Sequence, residues 1–288
     1  MVAERIEAAL REAIEAVRGP SCPPGLDKAI EYAVFPGGAR IRPKICLAVA
    51  DACCEDYPAI SDAAATSIEL LHCASLVHDD LPCFDDSPLR RGRKSLHKAF
   101  GEPLAVLVGD ALIVLAFQTL VRGTVQAPHR LPILMEIIAG SVGMPGGIVA
   151  GQAWECEPEV NLSDYQQSKT GSLFAAATAA GAAAAGVEAG PWRALGEQIG
   201  GAYQVVDDIL DVAGDAEQLG KPTGQDEARD HPSSVRELGL DGARRHFESI
   251  MAGVVATIPP CPGAARLEAQ VIKEASRFLP AALAEHAA

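Results

Sequence analysis

Two clusters of carboxylates stand about 130 residues apart in a chain of 288. The first is Asp79, Asp80, Asp85 and Asp86, followed closely by Arg90 and Arg91. The second is Asp207, Asp208 and Asp211. Each closes an apolar run, Leu70 to Val77 in one case and Ile199 to Val206 in the other. Carboxylates this close repel one another unless positive charge sits among them. Hard divalent cations such as Mg²⁺ take oxygen ligands, keep several waters and share substrate phosphates. Two acidic clusters facing each other across a cavity would therefore suit a diphosphate held by several Mg²⁺. The bland alternative is two solvated, acidic helix ends. Charges are rarely grouped within apolar helices, and a matched pair of such groups favours the metal reading.

Each cluster needs a helix to deliver it. On a helix, Asp207 and Asp211 share a face, one turn and ~6 Å apart. Asp79 has no partner at that spacing. Asp85 lies beyond Pro82, which must break or bend the helix, so the loop could fold Asp85 back beside Asp79. Positive charge comes from other elements. The glycine turn Phe35 to Pro43 holds Arg40 and Arg42 and opens onto a helix over Lys44 to Cys54, an arrangement suited to anions. Lys169 stands alone in an otherwise apolar helix that begins at Leu162-Ser163, with Ser163 as N-cap. A lone lysine there is costly unless paired, and an anion would pair it. Glu69 and His72 form one Glu-x-x-His pair, whereas di-metal carboxylate bundles need two. The competing reading of His72 is a satisfied core histidine. Tyr203 and Gln204 precede the second cluster on neighbouring helix faces.

The rest of the sequence supplies the frame. Hydrophobic residues make up 49% and aromatics only 5%, and the near absence of β-alternation predicts packed helices. Helices are expected over Met1–Val17, Leu26–Val34, Ile60–His78, Leu104–Val121, His129–Val142, Gly147–Glu155, Trp192–Val212, Leu238–Ala256 and Gly263–Leu283, with Gly214–Pro232 as loop. No linker divides them, so a single domain over 1–288 is expected. The net charge of −14 argues against nucleic acid as a partner. Bound metal would invert the local charge and reconcile it with an anionic substrate. Eight cysteines lack any C-x-x-C pair and read as reduced thiols of a cytosolic protein. Charges throughout Met1–Arg18 argue against a signal peptide. The longest uncharged small-residue run, Leu173–Val187, is too short for a convincing membrane span.

The two clusters resemble the two aspartate-rich motifs of the trans-polyprenyl diphosphate synthases. Asp79-Asp80-x-x-x-x-Asp85 matches the long bacterial form of the first motif, and Asp207-Asp208-x-x-Asp211 matches the second. The resemblance runs from about Phe35 to Asp226 and looks nearest to the geranylgeranyl-forming members of purple photosynthetic bacteria. It implies an all-α isoprenoid-synthase-type bundle around a central cavity, working as a homodimer in the cytoplasm. It implies head-to-tail condensation of isopentenyl diphosphate with an allylic diphosphate (dimethylallyl, geranyl or farnesyl). Geranylgeranyl diphosphate, a carotenoid or chlorophyll-side-chain precursor, is the expected product, with farnesyl diphosphate as the alternative. It also implies Mg²⁺, about three ions per active site.

By the same resemblance Asp79, Asp80, Asp85, Asp207, Asp208 and Asp211 are the metal group. Asp79, Asp85, Asp207 and Lys169 carry catalysis. Arg42, His72 and Arg91 serve isopentenyl diphosphate; Arg90, Lys169, Thr170 and Lys221 serve the allylic diphosphate, with Gln204 beside the substrate. Ala74 and Leu71 line the path of the growing chain and set its length. The sequence departs from the family at three places. Ala39 and Gln225 stand where lysines are usual, leaving Arg40 or Lys44 to compensate for the first. Glu155 replaces the aspartate of a Gly-Gln-x-x-Asp stretch beginning at Gly151-Gln152. His97-Lys98-Ala99-Phe100-Gly101-Glu102 resembles the family without suggesting a mechanism. A terpene cyclase would mix Asn, Ser/Thr and Glu into the second motif and would not need Arg42, His72 and Arg91. A non-catalytic subunit would commonly lose one motif, and both are intact.

Overall fold

The computed structural model describes residues 2–35, 38–213 and 233–276. They form a bundle of helices, as the composition predicts. In order these are α1 (Val2–Glu15), α2 (Pro24–Val34), α3 (Ile41–Ala52), α4 (Pro58–Asp79), α5 (Leu96–Phe100), α6 (Glu102–Gly123), α7 (Leu131–Val142), α8 (Ile148–Trp154), α9 (Leu162–Gln166), α10 (Ser172–Ala184), α11 (Trp192–Ala213), α12 (Ser234–Ala256) and α13 (Ala264–Ser276). A π-helical turn, Gln167–Gly171, joins α9 to α10. Among the described residues the sheet is a two-strand ribbon, β1 (Leu89–Arg90) against β2 (Arg93–Lys94).

The alanine-rich run becomes the central helix. Every residue of α10 is buried, between α3, α4, α7 and α11. Its small side chains let those backbones come close. A β-carbon on Gly181 would lie 2.4 Å from the Cys46 carbonyl oxygen, and one on Gly196 of α11 would lie 2.3 Å from that of Phe174. Larger residues there would force the helices apart. Alongside, α4 packs against α6 over nearly its full length. By length and composition α6 is apolar enough to cross a membrane, and 44% of that stretch is buried inside the bundle.

Several boundaries differ from expectation, each for a local reason. Helix α3 starts at Ile41 rather than Lys44, because Arg40 turns into the left-handed region (φ 51°) as its N-cap. Pro43 then falls in the first turn, where its missing N–H costs nothing. The N-cap of α9 is Asn161, not Ser163: Asn161 Oδ1 accepts from the Asp164 amide at 3.2 Å. Leu96–Phe100, for which no helix is expected above, forms the short helix α5. Gly239, at φ 70°, kinks α12.

Candidate active site

Helix α4 delivers Asp79 in its last turn. The loop beyond it folds back, as the break at Pro82 allows. The Asp85 amide donates to the Asp79 carbonyl at 3.0 Å, while the Phe84 and Asp86 amides both donate to Leu81 O at 2.9 and 3.0 Å. Asp79 Oδ1 is buried without a hydrogen-bond partner; Lys169 Nζ is its nearby cation, at 3.6 Å. Burial pushes the Asp79 carboxyl up to about 6, with Lys169 opposing the shift and Asp85 adding to it. Asp80, 2% exposed, is committed elsewhere. Its Oδ1 accepts from Arg90 Nε at 3.0 Å and Nη2 at 2.5 Å. Arg90 Nη2 also lies 3.7 Å from Asp79 Oδ2. The resemblance puts Asp80 in the metal group; in the structure it also holds Arg90 beside Asp79.

The second cluster divides in the same way. Asp208 is buried, accepting from Gln204 Nε2 at 2.9 Å and from the Ser234 amide at 2.7 Å. It thereby ties α11 to the first residue of α12, satisfying an orphan N–H there. Like Asp80, it is held by neighbouring groups in this arrangement. Asp207 and Asp211 lie one turn apart on α11. Gln204 has its other end on Thr170, whose Oγ1 donates to Gln204 Oε1 at 2.9 Å.

The two clusters are joined through the π turn. Lys169 reaches Asp79 at the end of α4, and its neighbour Thr170 reaches Gln204 on α11. The extra residue of a π turn re-aims successive side chains, which is why such turns recur at functional sites. Sequence periodicity does not disclose it. The partner of Lys169 was also hidden. Glu155 ion-pairs with Lys169, and its Oε1 accepts from Tyr165 OH at 2.7 Å while its Oε2 accepts from Gln152 Nε2 at 2.6 Å. Asp79, Tyr165 and Glu155 outweigh burial and keep the Lys169 ammonium firmly protonated. Gly151 explains itself here, because a β-carbon would lie 2.5 Å from the Lys169 amide nitrogen. Only glycine lets α8 approach the π turn so closely.

A cationic pocket lies next to the carboxylates. Arg42 is buried, stacks 4.4 Å from the Phe174 ring centroid, and has an Nε with no hydrogen-bond partner. Its Nη1 lies 3.4 Å from His72 Nε2. Burial, reinforced by Arg42, Arg91 and Arg90, holds His72 well below its usual value, so it is neutral at pH 7. Arg91 (φ 53°) and Gly92 (φ 72°) form the tight turn of the ribbon, the positive-φ pair that two-residue hairpins favour. The Arg91 guanidinium lies against Gly38, where a β-carbon would be 2.9 Å away. Arg42, His72 and Arg91 thus converge, and an unsatisfied buried guanidinium nitrogen calls for an anion.

Both cations that could replace a lysine at Ala39 have acidic partners in the structure. Arg40 is 5% exposed. It donates to Glu7 at 2.8 Å, Glu69 at 2.6 Å and Val34 O at 2.8 Å. Lys44 pairs with Glu274 at 3.4 Å. The Glu-x-x-His pair is resolved too: Glu69 serves Arg40 and His72 faces Arg42. Ala74 and Leu71 are buried in the core of α4. Lys221 and Gln225 lie outside the described residues. A mainly apolar groove lined by Phe174, Tyr203 and Met251 among others includes none of the aspartates of the two clusters.

Among the described residues, no three Asp, Glu, His or Cys side chains form a closed metal cage. Hard cations that retain waters and share phosphate oxygens do not require one. The donor set fits such an ion: all oxygens, with a buried Asp79 Oδ1 that accepts no hydrogen bond and mutually repelling Asp79 and Asp85.

Comparison with known proteins agrees with this geometry. The polyprenyl synthetase family profile matches residues 23–252. The chain is 53% identical to geranylgeranyl diphosphate synthase of Cereibacter sphaeroides, over 98% of both chains. It is 52% identical to the geranylgeranyl diphosphate synthase of Rhodobacter capsulatus, over 93% of both. Its fold matches the crystal structure of a Helicobacter pylori geranyltransferase complexed with magnesium and isoprenyl diphosphate, with a TM-score of 0.83, 30% identity and 96% of each chain covered. With a family profile spanning most of its length and a site built from the two aspartate clusters, the chain belongs to the polyprenyl synthetase family.

Proposed function

We propose that the protein joins isopentenyl diphosphate head-to-tail to an allylic diphosphate and makes mainly geranylgeranyl diphosphate. The observation that carries this reading is the π turn. It puts Lys169 on the first aspartate cluster and Thr170 on the residue that leads into the second, so one diphosphate would be gripped from both sides. Asp79, Asp85, Asp207 and Asp211 are the residues that would hold Mg²⁺, about three ions by analogy with the family. Bound there, Mg²⁺ neutralises the diphosphate and makes it a better leaving group.

The chain's own residues do the rest. Lys169 and Arg90 add fixed positive charge where the departing diphosphate gathers negative charge. Arg42, neutral His72 and Arg91 orient the second diphosphate so that its double bond meets the allylic carbon. As the C–O bond breaks, the allylic cation is attacked by that double bond, and a proton then leaves the new chain. Among the described side chains no base stands ready, and the released diphosphate is the acceptor we favour. The test is purified protein with Mg²⁺, labelled isopentenyl diphosphate and each allylic primer in turn. Geranylgeranyl product from dimethylallyl, geranyl and farnesyl primers supports the reading. No incorporation with any primer would overturn it.

The vacancy at Ala39 makes a separate prediction. Ala39 is exposed and directly follows Gly38, the residue against Arg91. Since Arg40 and Lys44 are paired elsewhere, Ala39→Lys should add a second cation on the Arg91 side of the pocket. KM for isopentenyl diphosphate is expected to fall about threefold to tenfold, roughly 1 kcal/mol for one charge-assisted contact. KM for the allylic primer should hold steady. An unchanged isopentenyl KM would mean another group already fills the role.

We also propose a homodimer through α6. Leu107, Val114 and Val121 are exposed and spaced by seven, so they form one apolar stripe along this helix. A stripe of that length on a surface helix marks an interface, and two copies can pair it on itself about a two-fold axis. Leu107→Glu with Val114→Glu should convert a dimer to a single chain by light scattering; an unaltered dimer mass would move the interface elsewhere. A cytoplasmic setting is supported by eight cysteines that are all unbridged.

A further inference from the structure

The stretch beginning at His97-Lys98 lies against the loop that carries Asp85. That loop ends at Asp86, which sits at φ 43°. Residues with a β-carbon enter this left-handed region only at a cost, and something must hold them there. The Asp86 carboxylate is held from outside the loop. Its Oδ1 accepts from Lys98 Nζ at 2.9 Å and lies 3.3 Å from His97 Nε2. The other ring nitrogen, His97 Nδ1, lies 3.1 Å from Ser95 Oγ. A hydroxyl proton given to Nδ1 leaves the ring proton on Nε2, aimed at Asp86. Ser95 and His97 are both buried. The Ser95 amide in turn donates to Pro88 O at 3.0 Å, so the loop is gripped on its far side as well.

Exposed ion pairs contribute little to stability on their own, so Lys98 and Asp86 need not be paired for folding. A buried histidine fixed at both nitrogens and a strained aspartate next to Asp85 point to positioning. With the backbone of Asp86 fixed, and the Asp85 amide bound to Asp79 O, the Asp85 side chain has little freedom left. We infer that Ser95, His97, Lys98 and Asp86 form a latch that holds Asp85 against Asp79 before any cation arrives. His97 and Lys98 are then positioning residues for the cation site, acting through Asp86. The latch rests on the assignment of Asp79 and Asp85 as cation ligands made above. Its benefit is entropic: a loop already ordered loses less freedom when the ion binds.

The experiment separates the latch from that assignment. Binding of Mn²⁺ in the presence of inorganic diphosphate is followed by electron paramagnetic resonance on the full chain. The Mg²⁺ concentration for half-maximal turnover and KM for isopentenyl diphosphate are measured beside it. Asp86→Gly removes the carboxylate while accepting φ 43° without strain. His97→Phe keeps a ring but loses the donor, and His97→Gln restores an N–H near the Nε2 position. Lys98→Met acts on an exposed side chain and leaves the core untouched. Outer-shell partners typically govern metal affinity by about 10–100-fold, so Asp86→Gly and His97→Phe are expected to weaken Mn²⁺ about tenfold or more and to raise the Mg²⁺ requirement in step. KM for isopentenyl diphosphate should stay within about twofold, because Arg42, His72 and Arg91 are untouched, and His97→Gln should recover most of the affinity. Lys98→Met should lose about threefold. Wild-type Mn²⁺ affinity in Asp86→Gly and Lys98→Met would overturn the latch, even if turnover fell. Asp85→Asn is the control and should lose Mn²⁺ binding outright. If it binds as tightly as wild type, the ligand assignment fails, and the latch with it.

Discussion

Asp79→Ala and Asp207→Ala are each expected to slow turnover about a thousandfold or more, roughly 4 kcal/mol of barrier. Each removes one proposed oxygen ligand from the ion that neutralises the leaving diphosphate, while the cations Lys169 and Arg90 remain. The pH dependence should follow. The Asp79 carboxyl is raised to about 6 in the metal-free protein, so proton and cation compete for it. About nine in ten molecules are ionised there at pH 7 and about one in ten at pH 5, so the Mg²⁺ needed for half-maximal turnover should rise about tenfold across that interval. Stability moves the opposite way. A carboxyl whose folded value lies above its unfolded value binds more protons when folded, so the metal-free protein loses stability as pH rises from about 4 through 6. Asp79→Asn, which cannot ionise, should therefore raise the melting temperature of the metal-free protein at pH 7 while turnover collapses. Near-normal turnover with unchanged Mg²⁺ dependence in either alanine variant would remove Asp79 or Asp207 from the metal group.

Much of this site could be read from sequence because its chemistry is local. Grouped aspartates, adjacent Arg90 and Arg91, and Lys169 in an apolar helix are visible as residue types and spacings. The break at Pro82 opens the way for the return of Asp85 to Asp79. What stayed hidden depends on partners far along the chain or on backbone geometry. Arg40 looked available for substrate, yet its partners Glu7 and Glu69 are 33 and 29 positions away. Nothing in the immediate sequence announces that pairing. Asp80 and Asp208 match their motifs as well as Asp79 and Asp207 do. The partners that hold Asp80 and Asp208, Arg90 for one and Gln204 with Ser234 for the other, come into view only in the structure. The π turn leaves no mark on hydrophobic periodicity, because Lys169 and Thr170 would read the same in a regular helix. The helical frame was easier to foresee, since all-round burial of α10 needs only a run of small apolar residues. Helix ends set by φ at Arg40 or by an Asn161 side chain could not be located to within a turn.

Ala74→Tyr is expected to shift the main product from geranylgeranyl to farnesyl diphosphate while catalysis persists. Helix α4 runs unbroken from Pro58 to Asp79, so Ala74 lies about 7.5 Å below Asp79 at 1.5 Å per residue. An isoprenoid chain growing away from the diphosphate would reach that depth within its first few units. Ala74 is 2% exposed and Leu71 1%, so both lie in the packed core along the helix expected to bound the chain. An alanine leaves the floor deep; a tyrosine ring would raise it by most of an isoprene unit. The cost should be felt selectively. Condensation onto dimethylallyl and geranyl primers needs little depth and should continue, whereas extension of a farnesyl primer should fall at least tenfold, about 1.4 kcal/mol. Pure overpacking gives a different pattern. Inserting a large ring into a filled core costs about 1–3 kcal/mol of stability, which would lower the melting temperature and depress all primers alike. Comparing the three primers side by side distinguishes the two. A destabilised variant that still makes mostly geranylgeranyl product would show that Ala74 serves helix packing and that the chain is measured elsewhere.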